Sequence, residues 1–352
     1  LSFDEGDPIQ DMSDGFLDYL DMNTKEHTSS VEIEQNLKEK NIIPIVFSCN
    51  NNYAIHLCCA ITSILENANE NDYLLFNIIC EKRNLNCFYK NLLCKLARKN
   101  CQINFIYVNS EIFKDLPLTS VCKHISIETY YRFILADLFP NYDKIIYLDC
   151  DITVMSSLNA LFNIDIEKYY FAGAKDVAWR DCCKRLCLEK YCNAGILLVN
   201  LNKWRNDNIQ KELFEYSFNN VDKIVWQDQD VLNVVLQQGI IYINNVWNAQ
   251  VGEYQLCYNT LGKNANILHH FGPSKPWMFN CKSPFKDLYY KYLNKMSWEY
   301  RFLHFLIFKL FSPVVYFLKN FKEKRKLLLW YDSRKQELVL CKKYRIKFHF
   351  FY

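Results

Sequence analysis

Half of the 352 residues are hydrophobic, enough to bury a substantial core in one large α/β domain or two smaller ones. The formal net charge of +3 is small but unevenly spread. Residues 1–24 carry seven acids and no base, whereas Lys319–Lys347 holds eleven Lys/Arg against three acids, a distribution that implies an anionic partner for the tail. The sixteen cysteines contain no Cys-x-x-Cys pair, and the loose group Cys182, Cys183, Cys187 and Cys192 matches no zinc spacing. The opening residues do not read as a secretory leader, and no apolar run reaches the roughly twenty residues of a membrane span. The expectation is a reduced, cytoplasmic protein in which cysteine serves as a small apolar residue.

Taken in order, residues 1–30 read as a mobile acidic leader, and a short helix is expected from Ser30 to Lys40. Pro44–Ser48 is the first strand; it runs into the polar loop Cys49-Asn50-Asn51-Asn52-Tyr53. Leu57, Ile61, Ile64 and Leu65 recur at helical spacing and predict a helix over 54–66. Strands follow at Leu74–Ile79 and Ile103–Val108, with a helix over 84–99 between them. This alternation predicts a mainly parallel sheet with helices on both faces, whose ligands bind beyond the carboxyl ends of the strands. No Gly-x-Gly-x-x-Gly and no phosphate loop follows the first strand, which argues against a dinucleotide dehydrogenase or a nucleoside-triphosphatase.

The segment from Lys123 to Ala136, with Arg132 in a mostly apolar stretch, predicts a helix ending before Pro140. A semi-buried arginine there needs an anion, either a phosphate or a strand-end carboxylate; a surface arginine on an amphipathic helix fits the stretch equally well. Ile145–Leu148 is a buried strand that leads straight into Asp149-Cys150-Asp151. Residues two apart on extended backbone point the same way, so Asp149 and Asp151 converge, an arrangement suited to a hard divalent cation. An acidic turn closing a strand fits that triplet equally well on its own. Tyr170–Asp176 reads as a strand ending in an acid, and Cys192–Asn200 as a strand that begins with a polar Asn193-Ala194-Gly195 turn. Gln227-Asp228-Gln229-Asp230 precedes the apolar helix 231–236; capping accounts for one of these four polar residues. Ile267-Leu268-His269-His270-Phe271-Gly272 and the nearby Lys275 put a candidate metal ligand and a phosphate-seeking cation just after an apolar strand.

Six motifs in this order resemble the family 8 retaining glycosyltransferases, enzymes of the Rossmann-like GT-A fold, and most of all their bacterial lipooligosaccharide and lipopolysaccharide α-galactosyltransferases. They are Phe47 to Tyr53, His124 to Arg132, Leu148 to Asp151, Asn193 to Gly195, Gln227 to Asp230, and His269 to Trp277. The resemblance spans Pro44 to Trp277 and implies an α/β GT-A catalytic domain over 41–282, flanked by a leader over 1–40 and a helical basic-aromatic region over 283–352.

By the same resemblance, Asp149, Asp151 and His269 would ligate manganese, with magnesium as the alternative. Asn50 and Asn52 would face the uracil of a UDP-sugar. Arg132 and Asp176 would hold hydroxyls of the transferred hexose, galactose or glucose. Asn193 and Asp228 would lie beside it and Gln229 near its anomeric carbon, while Gly272 and Lys275 would meet the diphosphate. Tyr53 and His124 would meet a glycolipid acceptor. Related enzymes commonly carry Asp where this chain has Asn50, and a neutral amide accepts the uracil imide hydrogen less strongly than an anion does. The family retains the donor's α configuration, and Gln229 is a poor nucleophile, which favours front-face attack over a covalent intermediate.

From Trp298 to Phe321 aromatic and aliphatic residues crowd together before the basic run. Such interleaving suits an anionic membrane surface and a peripheral place on the inner face of the cell membrane; a helical annex packed on the catalytic domain is the other reading. No nucleic-acid recognition motif is present. Two further functions remain open at this point. One is a self-glucosylating primer protein like glycogenin, with one of the 24 tyrosines as acceptor. The other is a non-catalytic sugar-nucleotide-binding scaffold.

Overall fold

The computed structural model describes residues 40–118, 126–252, 261, 263–272, 274–278 and 281–311. The acidic leader, the expected helix before Lys40, His124 and the basic run from Lys319 lie outside the described residues. The chain divides into two compact units, 1–301 and 302–352. Of the second, the described part is helical to His304 and π-helical over Phe305–Phe311.

Among the described residues the first unit has ten strands: β1 Asn41–Ser48, β2 Asp72–Cys80, β3 Cys101–Tyr107, β4 Lys144–Leu148, β5 Ile152–Val154, β6 Phe171–Lys175, β7 Cys192–Asn200, β8 Ile240–Tyr242, β9 Ala249–Val251 and β10 Ile267–His270. Seven of them form a sheet in the order β3-β2-β1-β4-β7-β6-β8. The pairs β2–β3, β1–β2, β1–β4 and β6–β8 are parallel, as the alternating sequence pattern predicts. Strand β7 departs from that pattern and runs against both β4 and β6. The expected polar turn at Asn193–Gly195 is in fact the start of β7, which is buried along its whole length. Its polar residues tolerate burial because they are hydrogen-bonded, as described below.

Helix Ala54–Glu66 is buried at every position but the last, so it sits inside the fold rather than on its surface. Thr62 and Ser63 donate back to the carbonyls of Cys58 and Ala60, which keeps their hydroxyls satisfied there. The other face of the sheet is covered by Phe113, Phe133, Trp204 and Phe214 with their aliphatic neighbours. Each such side chain contributes about 1.5–3 kcal/mol by leaving water. The segment read as a helix over 123–136 is a 3-10 helix where described, Ile127–Ile134, followed by an α-turn at Leu135–Leu138. Arg132 there donates to both the carbonyl and the hydroxyl of Thr129, three residues back. A three-residue turn eclipses positions i and i+3, so Thr129 and Arg132 share one face.

Strands β5, β10 and β9 form a second, small sheet, and its register assembles the site. His269 on β10 pairs with Ile152 on β5, one residue past Asp151, and the His270 amide donates to the Asp151 carbonyl at 2.9 Å. On the other side His269 pairs with Gln250 of β9, which brings Asn248, just ahead of β9, alongside the imidazole. Beyond the end of β4, the Asp149 amide donates to the Gly195 carbonyl at 2.8 Å and continues the ladder with β7.

Candidate active site

A cavity of about 520 Å³ opens at the carboxyl ends of β1 and β4, large enough for a ligand of nucleotide-sugar size. Of the residues singled out above, Asn50, Tyr53, Arg132, Asp149, Asp151, Asp176, Asn193, Asp228, Gln229, His269, Gly272 and Lys275 all line it. Asn52 does not; its side chain is exposed and only its backbone N–H reaches inward, to Asn50 Oδ1 at 3.0 Å.

The floor of the cavity is acidic. One oxygen each of Asp149 and Asp151 and the Nε2 of His269 lie within 4.8 Å of one another, the one such cluster among the described residues. His269 Nε2 is 3.7 Å from Asp149 Oδ2 and 3.5 Å from Asp151 Oδ1. The second oxygen of each carboxylate is held by a cation, Arg132 on Asp149 and Lys275 on Asp151. Lys275 is itself buried and also donates to the His270 carbonyl at 2.9 Å. Burial works against the charge on Asp151, but the Lys275 ammonium beside it outweighs that and holds this carboxyl well below the usual carboxylate range.

The tautomer of His269 follows from its neighbour. Asn248 donates its amide nitrogen to Asn193 Oδ1 at 2.9 Å, so its oxygen is the atom 3.1 Å from His269 Nδ1. The proton is therefore on Nδ1, and Nε2 turns a lone pair toward the carboxylates. Gly195 completes the cradle: a Cβ there would stand 2.4 Å from His269 Cε1 and 2.7 Å from Asp149 Oδ2. Oxygen and imidazole donors, an oriented lone pair and a floor kept open by glycine together fit a divalent cation.

Around this floor the polar side chains form one connected network. Asn193 donates to Asp176 Oδ2 at 3.0 Å and to Gln229 Oε1 at 3.1 Å. Gln229 Oε1 also accepts the Ala194 amide at 3.0 Å, and its nitrogen donates to Tyr191 at 3.2 Å and to Asp176 at 3.3 Å. Asp228 accepts from Arg132 at 2.6 Å and from the Thr129 hydroxyl. Burial lifts its carboxyl to about 6; Arg132 and Thr129 oppose that rise and the Asp149 charge adds to it. The Arg132 guanidinium is buried too, stacked 4.3 Å over Tyr147, and stays charged because Asp228, Tyr147 and Asp149 outweigh its desolvation.

Helix Gln227–Val235 carries Asp228 and Gln229, and its capping carboxylate is Asp230. Its Oδ2 accepts the amides of Val225 and Trp226 at 2.8 and 2.9 Å, and Oδ1 accepts Tyr191 and Arg185. Asp230 is thus committed to structure, while Asp228 and Gln229 face the cavity. Gly272 has φ +79° with nothing near its missing Cβ, so the glycine is there for backbone conformation and not for space. The loop after it is pinned by Trp277, stacked on His56 with centroids 3.4 Å apart and edge-on to Tyr53 at 6.2 Å.

Two residues of this site escaped sequence reasoning, Asn248 and Glu128. Asn248 stands among the asparagines of the 244–248 turn with no motif around it, and only the β9–β10 register reveals its partner. Glu128 sits inside a recognised motif but at a position to which the motif attaches no role.

A mixed sheet with an acidic cavity beyond its strand ends has its ligand site where open α/β folds place theirs. Residues 44–281 match the model of glycosyl transferase family 8, and the chain belongs to that family. A Haemophilus influenzae protein named "Putative glycosyltransferase" is 35% identical over 257 residues, 67% of this chain and 73% of that protein. The lipopolysaccharide 1,2-glucosyltransferase of Escherichia coli is 27% identical across 80% of this chain and 90% of its own length. Among solved structures, the galactosyltransferase LgtC in complex with donor and acceptor sugar analogues superposes with a TM-score of 0.64. It is 28% identical, and the match covers 74% of this chain and 99% of that one. The GT-A fold and the family resemblance read from the motifs are thereby established.

Proposed function

We propose that this glycosyltransferase moves a hexose, galactose or glucose, from a UDP-sugar to a lipooligosaccharide-type acceptor with the help of a divalent cation, manganese foremost. The observation that carries this reading is the convergence of Asp149, Asp151 and an oriented His269 Nε2 on the floor of a nucleotide-sugar-sized cavity. Similarity to lipopolysaccharide glucosyl- and galactosyltransferases supports the acceptor class.

Asp149, Asp151 and His269 would hold the cation, which when bound supplies positive charge opposite the leaving diphosphate. Lys275 stands in the same wall with a buried ammonium, a fixed charge for a diphosphate oxygen that needs no reorganisation during reaction. Departure of the diphosphate leaves the sugar with cationic character. The oxygens of Asp176, Asp228 and Gln229 meet that charge, each held in place by the hydrogen bonds described above.

Gln229 is unsuited to attack, because its carboxamide oxygen already accepts two N–H groups and a neutral amide is a weak nucleophile. An acceptor hydroxyl arriving from the donor's own face, past Tyr53, accounts for retention without a covalent intermediate. His124 belongs to the same acceptor assignment by family likeness. Release of nucleoside diphosphate from a panel of nucleotide sugars, with and without manganese, tests the assignment. UDP-galactose or UDP-glucose turns over only with metal if it is correct; metal-independent turnover, or none with any UDP-hexose, contradicts it.

A further inference from the structure

Glu128 lies in the cavity wall beside Asn50, only 7% exposed, and the mechanism above gives it no task. Its Oε1 accepts from Asn50 Nδ2 at 3.0 Å. Its Oε2 is buried and has no hydrogen-bond partner among the described residues. No lysine or arginine among them pairs with it either, unlike Asp149, Asp151 and Asp228 in the same cavity. A buried carboxylate oxygen with unused lone pairs is costly, and this carboxylate stands in a cavity wall where a ligand can supply the missing donor.

The orientation of Asn50 sharpens this. Its Oδ1 accepts the Asn52 amide at 3.0 Å, which leaves the nitrogen as the atom facing Glu128. An amide nitrogen carries two hydrogens, one of which goes to Glu128. Together the two side chains offer the cavity an anionic acceptor next to an N–H donor. The complement is a ring edge with an N–H beside a carbonyl. Uracil has that edge. Cytosine has a bare ring nitrogen where the N–H would be, and a carboxylate facing it is repelled.

We propose that Glu128 is the specificity-determining residue for the nucleobase, its carboxylate accepting the uracil imide N–H while Asn50, aligned by Glu128, donates to the adjacent carbonyl. The fixed negative charge at the base edge then comes from the 3-10 helix Ile127–Ile134 rather than from the loop after β1. This rests on the UDP-sugar reading above and names the side chain that selects the uridine.

The test is calorimetric binding of UDP, CDP, GDP and N3-methyl-UDP, each with manganese, to the full chain. Three forms are compared: wild type, Glu128→Gln, and the exchange Asn50→Asp with Glu128→Gln. A charge-assisted hydrogen bond corresponds to about a tenfold or greater preference. Wild type should bind UDP about tenfold or more tightly than CDP or N3-methyl-UDP. Glu128→Gln should lose about tenfold for UDP and almost nothing for N3-methyl-UDP, and the exchange should restore the preference. Uridine selectivity that survives Glu128→Gln, or equal weakening of UDP and N3-methyl-UDP, overturns the proposal and leaves the donor assignment intact. Wild type preferring CDP or GDP overturns the donor assignment and this proposal with it.

Discussion

His269 Nδ1 stands 3.1 Å from the Asn248 oxygen, and that contact fixes which nitrogen of the imidazole faces Asp149 and Asp151. The same asparagine donates to Asn193 at 2.9 Å, so one fully buried side chain joins the candidate metal ligands to the candidate sugar site. Removing such a partner from a metal-ligating histidine typically costs 10- to 100-fold in metal affinity. Asn248→Ala should therefore weaken manganese binding by about that factor, as read by calorimetry or by the free-ion electron-paramagnetic-resonance signal. Unchanged manganese affinity in a folded variant would show that His269 needs no such support.

Gln229 is fixed by four hydrogen bonds, to Asn193, Ala194, Tyr191 and Asp176, and under the proposed function it meets the sugar late in the reaction. Gln229→Ala should lower kcat far more than it raises the donor KM, the signature of a group used mainly in the transition state. A rise in KM alone would make it a ground-state binding contact.

The carboxylates after β4 were legible only in company: Asp149-Cys150-Asp151 alone reads equally well as an acidic turn, and the motifs on either side, with His269 closing an apolar run, tipped the reading. The antiparallel course of β7 was hidden: a strand buried on both faces reads the same in either direction. Nor could periodicity tell the 3-10 helix Ile127–Ile134 from an α-helix. What selects it is the tertiary pairing of Arg132 with Thr129, Asp149 and Asp228, between 3 and 96 residues away. Asn248 and Glu128 were invisible for a related reason. Their chemistry lies in which partners long-range register and packing supply.

Asp228 makes a pH prediction with a definite sign. Its folded carboxyl titrates at about 6, above the ordinary 3.8, because burial outweighs the help of Arg132. The stability it contributes is full below pH 3.8 and is lost as pH rises through about 6. Across that interval wild type should lose about 3 kcal/mol of unfolding free energy relative to Asp228→Asn, which cannot titrate. Denaturant unfolding at pH 4 and pH 7 measures the difference. Parallel pH profiles, or the opposite slope, would contradict the raised titration point.

The basic-aromatic tail is a proposal that rests on sequence. Eleven Lys/Arg between Lys319 and Lys347 meet an anionic leaflet at roughly 1 kcal/mol each when close to it, and the aromatics from Phe302 to Phe321 add insertion that salt does not screen. Among the described residues no helix is long and apolar enough to cross a membrane. Truncation after Arg301, where the first compact unit ends, should abolish binding to anionic vesicles and spare donor hydrolysis. Loss of solubility or of hydrolysis would make the segment a structural annex.

The central claim is metal-dependent transfer from a UDP-sugar at Asp149, Asp151 and His269. Its most direct test is the rate of UDP release from UDP-galactose and UDP-glucose by wild type and by Asp151→Ala, each with manganese and with excess chelator. Wild type should turn over one of the two donors with manganese and neither in chelator. Asp151→Ala should be inactive in both conditions while keeping its circular-dichroism spectrum. Full turnover in chelator, or full activity of a folded Asp151→Ala, would contradict it.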